Sequence, residues 1–198
     1  MGSSAPLEDG TIYFGFGSNL WLSQMAMRCP NSEYLGIAKL PGYKWIINDR
    51  GYANVVQTLK EADVVWGLVY RLTAADEKRL DANEGVPESY TKEMLSTELW
   101  ASPMQCKAPF GGADECKVDI DKKPEKRDML VYIDRRRTTD DYPKKEYIYR
   151  MNMGIRDAVK VGVPEGYVEK VMRKFISQEE DKEIEAFAMK QALDFQDE

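Results

Sequence analysis

Apolar and polar positions along this chain fall into short runs, first with the spacing of strands and later with that of helices. Thr11-Ile12-Tyr13-Phe14-Gly15-Phe16 is apolar and aromatic almost throughout, the pattern of a short buried strand. Gly17-Ser18-Asn19 breaks it, and residues 20–27 read as a helix stopped by Pro30. Strand-like runs follow at residues 34–40, 43–48, 54–58 and 64–72, the last continuous enough for a central strand. Thr73 stands where an N-cap belongs, three residues ahead of Asp76, so residues 74–83 are expected as a helix with Leu80 inward and Gly85 as its stop. Residues 90–99 and 129–134 read as strands. Residues 101–128, rich in Lys, Asp, Pro and Gly, read as a long exposed insertion around a weak strand at 116–120. Beyond residue 143 the period becomes helical. Tyr147, Met151 and Ile155 recur every four residues, and Val163-Pro164 opens a second helix with Tyr167, Val168, Val171, Met172 and Phe175 inward. A last helix is expected over residues 177–195. The pattern predicts one α+β domain over residues 11–198, strand-rich in its first two thirds with helices packed on it, behind a disordered leader at 1–10.

Composition changes this picture mainly by exclusion. The net charge of −6 argues against nucleic acid, because neutralising phosphates needs clustered Lys and Arg. The one basic cluster, Arg135-Arg136-Arg137, runs into Thr138, Thr139, Asp140 and Asp141 and reads as a solvated turn. No apolar run approaches the roughly 20 residues of a membrane helix, and the leader lacks the basic start and apolar stretch of a signal peptide. Three cysteines without CxxC spacing suit a reducing compartment, hence a cytoplasmic expectation. Cys29 reads as a buried small group. Cys106 and Cys116 read as free thiols, although pairing across the insertion is an alternative. Histidine is absent, which removes Ser-His-Asp and Cys-His triads, His-based zinc sites and any imidazole base. A proton carrier here has to be Asp, Glu, Lys, Tyr or Cys.

Two motifs carry candidate chemistry. In Tyr13-Phe14-Gly15-Phe16-Gly17-Ser18-Asn19-Leu20 the glycines let backbone N–H groups approach a ligand, and a helix N-terminus offers unpaired donors to a carboxylate or oxyanion. The same residues also suit a plain Ser/Asn helix cap after a buried strand. In Leu80-Asp81-Ala82-Asn83-Glu84-Gly85-Val86-Pro87 a carboxylate closes a short helix, where the C-terminal carbonyls disfavour its charge and so suit it to proton transfer. A glutamate at such a position more commonly faces solvent.

In this order, and with Val65-Trp66-Gly67-Leu68-Val69-Tyr70 between them, these motifs resemble the γ-glutamylcyclotransferases. The resemblance covers about residues 11–175 and leaves out the insertion and the final helix. It implies a small mixed β-barrel with flanking helices that releases 5-oxoproline from a small-molecule γ-glutamyl substrate, with no cofactor and no metal, and it leaves room for a homodimer. It implies Glu84 as acid/base, backbone N–H groups of residues 17–20 as the cradle, and Ser18 and Asn19 as side-chain donors. Tyr90, Tyr132 and Tyr147 are implied as pocket residues, although buried tyrosines with satisfied hydroxyls fit them as well. Tyr13 is expected mainly to support the core. Phe16 stands where the family often has tyrosine, which bears on substrate choice. A barrel that keeps the loop for binding without turnover is the alternative.

Overall fold

The computed structural model describes residues 10–103 and 116–178. Five strands close a barrel in the order β1-β5-β2-β6-β7: β1 (Thr11–Gly15), β5 (Val64–Leu72), β2 (Glu33–Pro41), β6 (Thr91–Ala101) and β7 (Glu125–Ile133). Neighbours are antiparallel except β1 and β7, which run parallel and join where Tyr13 faces Leu130. A separate hairpin pairs β3 (Tyr43–Ile47) with β4 (Ala53–Gln57). Among the described residues four α-helices flank the strands: α1 (Leu22–Arg28), α2 (Ala74–Asn83), α3 (Lys145–Lys160) and α4 (Glu165–Lys170). This is the expected α+β barrel with flanking helices, and no helix among the described residues is long and apolar enough to cross a membrane.

β5 is apolar on both faces because it lies between β1 and β2 and is covered outside as well. Tyr70 faces Tyr13 on one side and Tyr34 on the other. Trp66 stacks on Trp100 with ring centroids 5.0 Å apart. Gly67 makes room for β1: a Cβ there would come within 2.4 Å of the Gly15 carbonyl and 2.8 Å of the Phe14 ring.

α2 forms where its caps placed it. The Thr73 hydroxyl accepts from the Asp76 N–H at 3.2 Å, Leu80 is fully buried, and Gly85 takes φ +61° just past the end. Thr73→Ala is expected to destabilise the protein by about 1 kcal/mol. A shift in the urea midpoint at unchanged slope would show this, and an unshifted midpoint would mean the cap contributes nothing.

Several expectations need correction. The helix predicted over residues 20–27 is broken: Ser18–Leu20 is a 3-10 turn, Trp21 is extended, and α1 begins at Leu22. The tight turn is closed by Leu20 N–H to Gly17 O (2.9 Å) and Trp21 N–H to Ser18 O (3.0 Å). β7 starts at Glu125 rather than at 129, its charged first half pairing with residues 96–99 of β6 while its side chains stay in solvent. That segment carries no apolar alternation to reveal it. Residues 116–120 form no strand. Val118 makes one backbone bond to Val161 (2.9 Å) and Ser102 Oγ reaches the Cys116 carbonyl (3.5 Å). Held in this way, Cys116 is half-buried and disulfide-bonded, not the free thiol expected, whereas Cys29 is free and buried as expected. Cys106, the leader at 1–9 and nearly all of the last predicted helix lie outside the described residues.

On α3, Tyr147, Met151 and Ile155 are buried, and in the α4 region Tyr167, Val168 and Met172 are, while Val171 and Phe175 are half-buried. In the arginine cluster Arg135 and Arg136 are exposed and Arg137 is half-buried; Arg135 forks onto Glu93 at 2.7 and 2.8 Å, and Arg137 reaches Asp134 at 2.9 Å.

Candidate active site

The loop after β1, the C-cap of α2, the β3–β4 turn and the start of α3 gather around a cavity of about 30 Å³. Tyr13, Phe16, Gly17, Ser18, Asn19, Glu84, Tyr90, Tyr132 and Tyr147 all line it. Gly15 and Leu20 do not. Gly15 lies behind Tyr13, where a Cβ would sit 3.3 Å from the phenol oxygen, and Leu20 is wholly buried under Gly154 of α3. A larger cleft of about 500 Å³, between Lys44, Trp45, Trp66, Tyr167 and Phe175, contains no member of the Glu84 network.

Glu84 is the C-cap of α2 and is 9% exposed, turned inward instead of toward solvent. Asn19 Nδ2 donates to Glu84 Oε1 at 3.0 Å and to the Tyr13 hydroxyl at 2.9 Å. Burial, and next the Glu84 carboxylate, push the Tyr13 phenol well above its ordinary range, so Tyr13 stays a neutral hydroxyl at the cavity wall as well as a core residue.

The loop is held by its carbonyls. Trp45 Nε1 donates to Phe16 O at 3.0 Å, and the Tyr70 hydroxyl donates to Asn19 O at 2.9 Å. In a planar trans peptide the N–H points opposite to the preceding carbonyl, so anchoring Phe16 O on the indole turns the Gly17 N–H away from it. Of the four loop donors expected as a cradle, the Leu20 N–H closes the 3-10 turn and the Ser18 N–H already meets the Tyr147 hydroxyl at 3.2 Å. The N–H groups of Gly17 and Asn19 have no hydrogen-bond partner among the described residues. No residue of α1 lines the cavity, and the Leu22 N–H at its start donates to Asp157 Oδ2 at 3.0 Å. Burial raises the Asp157 carboxyl above its ordinary value, and that N–H opposes the rise.

The tyrosines divide by what their hydroxyls do. Tyr90 donates to Ala53 O at 2.9 Å and Tyr132 to Asp81 Oδ1 at 2.6 Å. Burial, then the bond to Asp81, drives the Tyr132 phenol far upward. The Tyr147 oxygen accepts from Ser18 N–H and, at 3.3 Å, from Ala53 N–H, joining the loop to the hairpin.

Residues missed in the sequence include Tyr52 and Ala53 in the cavity wall. They also include Gln24, Arg28 and Arg150 behind the loop, of which Arg150 is 1% exposed and reaches Ser18 Oγ at 3.4 Å. Gln24 and Arg28 left one signal: polar residues four apart on a helix share a face. Tyr52 left none.

Nearby Cys29 is a poor nucleophile. Burial, with Asp76 adding and Arg28 opposing, pushes its thiol up to about 12. At about pH 8 iodoacetamide is expected to spare Cys29 in the native protein and label it in urea, as read by peptide mass spectrometry. Equal labelling rates would contradict its burial. An unfolded thiol ionises near 8.5, so the native state binds the proton more tightly and stability from this group falls as pH rises from about 8.5 toward 12.

Residues 10–149 match the family described as gamma-glutamyl cyclotransferase, AIG2-like. Among curated proteins the chain is similar to the gamma-glutamylcyclotransferase of Homo sapiens, 28% identical over 93 residues, which cover 42% of this chain and 48% of that protein. It is also similar to the one from Bos taurus, 30% identical over 89 residues, 40% of this chain and 47% of that protein. The chain spans about half the length of the curated relatives it matches. A solved gamma-glutamyl cyclotransferase shares its fold, with a TM-score of 0.62 at 22% identity, covering 92% of this chain and 99% of that one.

Proposed function

This chain belongs to the gamma-glutamyl cyclotransferase, AIG2-like family, and on that premise we propose that it cyclises a γ-glutamyl compound to 5-oxoproline with Glu84 as the proton carrier. The observation that carries this reading is the inward-facing Glu84 carboxylate, hydrogen-bonded through Asn19 to a loop that retains two backbone donors.

The substrate supplies its own nucleophile. Its α-ammonium gives a proton to the Glu84 carboxylate, and the resulting amine attacks the γ-amide carbonyl to close a five-membered ring. Well-oriented ring closures reach effective molarities of about 10⁵–10⁸ M, so folding the glutamyl arm does much of the work. Negative charge develops on the carbonyl oxygen, where the Gly17 and Asn19 N–H groups are the fitting donors. Losing one such donor typically costs about 2.7–4 kcal/mol. Glu84 then protonates the leaving nitrogen, the C–N bond breaks, and the amine or amino acid departs. The attacking nitrogen sheds two protons in becoming a lactam N–H. Glu84 relays one to the leaving group, and the other passes to solvent. The protein contributes no nucleophile to this sequence, which fits a chain without histidine. The cavity holds about 30 Å³, so admitting a glutamyl arm requires its wall to open.

The test is to incubate the purified chain with γ-glutamyl amino acids, γ-glutamyl amines and glutathione, and to look for 5-oxoproline and the released amine in equal amounts by mass spectrometry. Product from one substrate class is the expected result. Binding of these compounds without product would favour the non-catalytic alternative. The reading keeps a cytoplasmic setting, although the Cys116 disulfide weakens the thiol argument for it.

A further inference from the structure

The two ends of the Asn19 carboxamide are nearly identical in shape, yet they would act on Glu84 in opposite ways. With its NH₂ toward Glu84 it steadies a carboxylate; with its oxygen there it would repel one. The surroundings decide between them. Asn19 Oδ1 accepts from Gln24 Nε2 at 3.0 Å and from Arg28 Nη1 at 3.2 Å, leaving Nδ2 for Glu84 and Tyr13. Gln24 and Arg28 lie one turn apart on the same face of α1, both buried, Gln24 completely. The Gln24 NH₂ also donates to Ser18 Oγ at 3.0 Å, so one amide holds both polar side chains of the loop. Turning that amide over would set its oxygen against Asn19 Oδ1.

Gln24 carries a cost in this position. Its Oε1 is buried with no hydrogen-bond partner among the described residues, and an unmet buried acceptor destabilises a fold. A methionine of similar shape would remove that penalty but would also lose the bonds to Ser18 Oγ and Asn19 Oδ1, so the amide's distinct contribution here is to orient those two side chains.

Resting on the cyclotransferase reading above, we propose that Gln24 and Arg28 are positioning residues that lock the Asn19 carboxamide with its NH₂ toward Glu84. They touch no substrate. Their effect reaches the reaction only through Asn19.

Gln24→Met is expected to fold, with lost hydrogen bonds and the relieved Oε1 opposing each other in Tm, and to lose about tenfold or more in kcat with little change in KM, the pattern of a misplaced proton carrier. The acid limb of its kcat–pH profile should move to higher pH, because a carboxylate that loses a donor holds its proton more tightly. Arg28→Lys should retain more activity than Arg28→Met. The deciding measurement is a double-mutant cycle: in an Asn19→Ala background, Gln24→Met should cause almost no further loss. Additive losses would overturn the proposal, as would an unmoved acid limb. One readout needs no turnover. In the wild type the Asn19 side-chain amide resonances should follow Glu84 ionisation, and in Gln24→Met they should lose much of that response. A wild type without 5-oxoproline activity would refute the catalytic reading alone, whereas amide resonances indifferent to Glu84 would refute this inference alone.

Discussion

Glu84→Gln is expected to fold normally and to turn over at least about a hundredfold more slowly than the wild type, the low end of what acid–base groups contribute. Glutamine matches glutamate in shape, and its Oε1 can still accept the 3.0 Å bond from Asn19 Nδ2, so the packing at the end of α2 is kept. It cannot take a proton from the α-ammonium or return one to the leaving nitrogen. The loss should therefore appear in kcat, with KM nearly constant because the pocket walls are unchanged. Steady-state kinetics on whichever substrate the panel identifies, with circular dichroism as the folding control, is the measurement. A folded Glu84→Gln protein with wild-type turnover would remove Glu84 from the chemistry.

Gly17→Ala damages the same site from the other side. A Cβ at Gly17 would lie 2.7 Å from the Tyr147 hydroxyl and 3.2 Å from the Ala53 Cβ. Tyr147 has little freedom to yield, because its ring meets the Tyr52 ring edge-on at 5.1 Å and the Arg150 guanidinium lies 5.0 Å from its centre. Pushing the phenol away takes the acceptor from the Ser18 and Ala53 N–H groups together. Overpacking of this kind costs about 1–3 kcal/mol. The shifted loop should lower turnover by up to about a hundredfold, as a displacement near 1 Å can. Thermal unfolding and kinetics give both effects, and the double variant Gly17→Ala/Tyr147→Phe separates them. Without the hydroxyl the clash is relieved, so the double variant should be more stable than Gly17→Ala alone. If it is not, the phenol contact is not what makes glycine necessary at residue 17.

The backbone donors expected of the loop after β1 are only partly available in the structure, and the reason is local. Gly15-Phe16-Gly17-Ser18-Asn19 marks a backbone that can come close to a ligand, but not which of its N–H groups remain available. That depends on Tyr147, Trp45 and Tyr70, which arrive from three different elements to satisfy other atoms of the loop. The expected helix N-terminus lies later than the loop: Trp21 is extended, α1 starts at Leu22, and α3 brings Asp157 onto the Leu22 N–H. Tyr90 and Tyr132 were legible as pocket residues by resemblance, while their hydroxyl partners, Ala53 and Asp81, were not.

What the sequence determined by itself is the part set by neighbours along the chain. The apolar run of β5, the Thr73 and Gly85 caps of α2 and the placement of Glu84 at its end follow from side-chain pattern and capping within a few residues. Tertiary structure alone decided the closure of the barrel between Tyr13 and Leu130 and the charged half of β7. It also decided the Cys116 disulfide and the orientation of the Asn19 amide. Each of these depends on groups far apart in sequence meeting at hydrogen-bond or bonding distance. Hydrophobic periodicity records which way a side chain faces, not which partner it finds there.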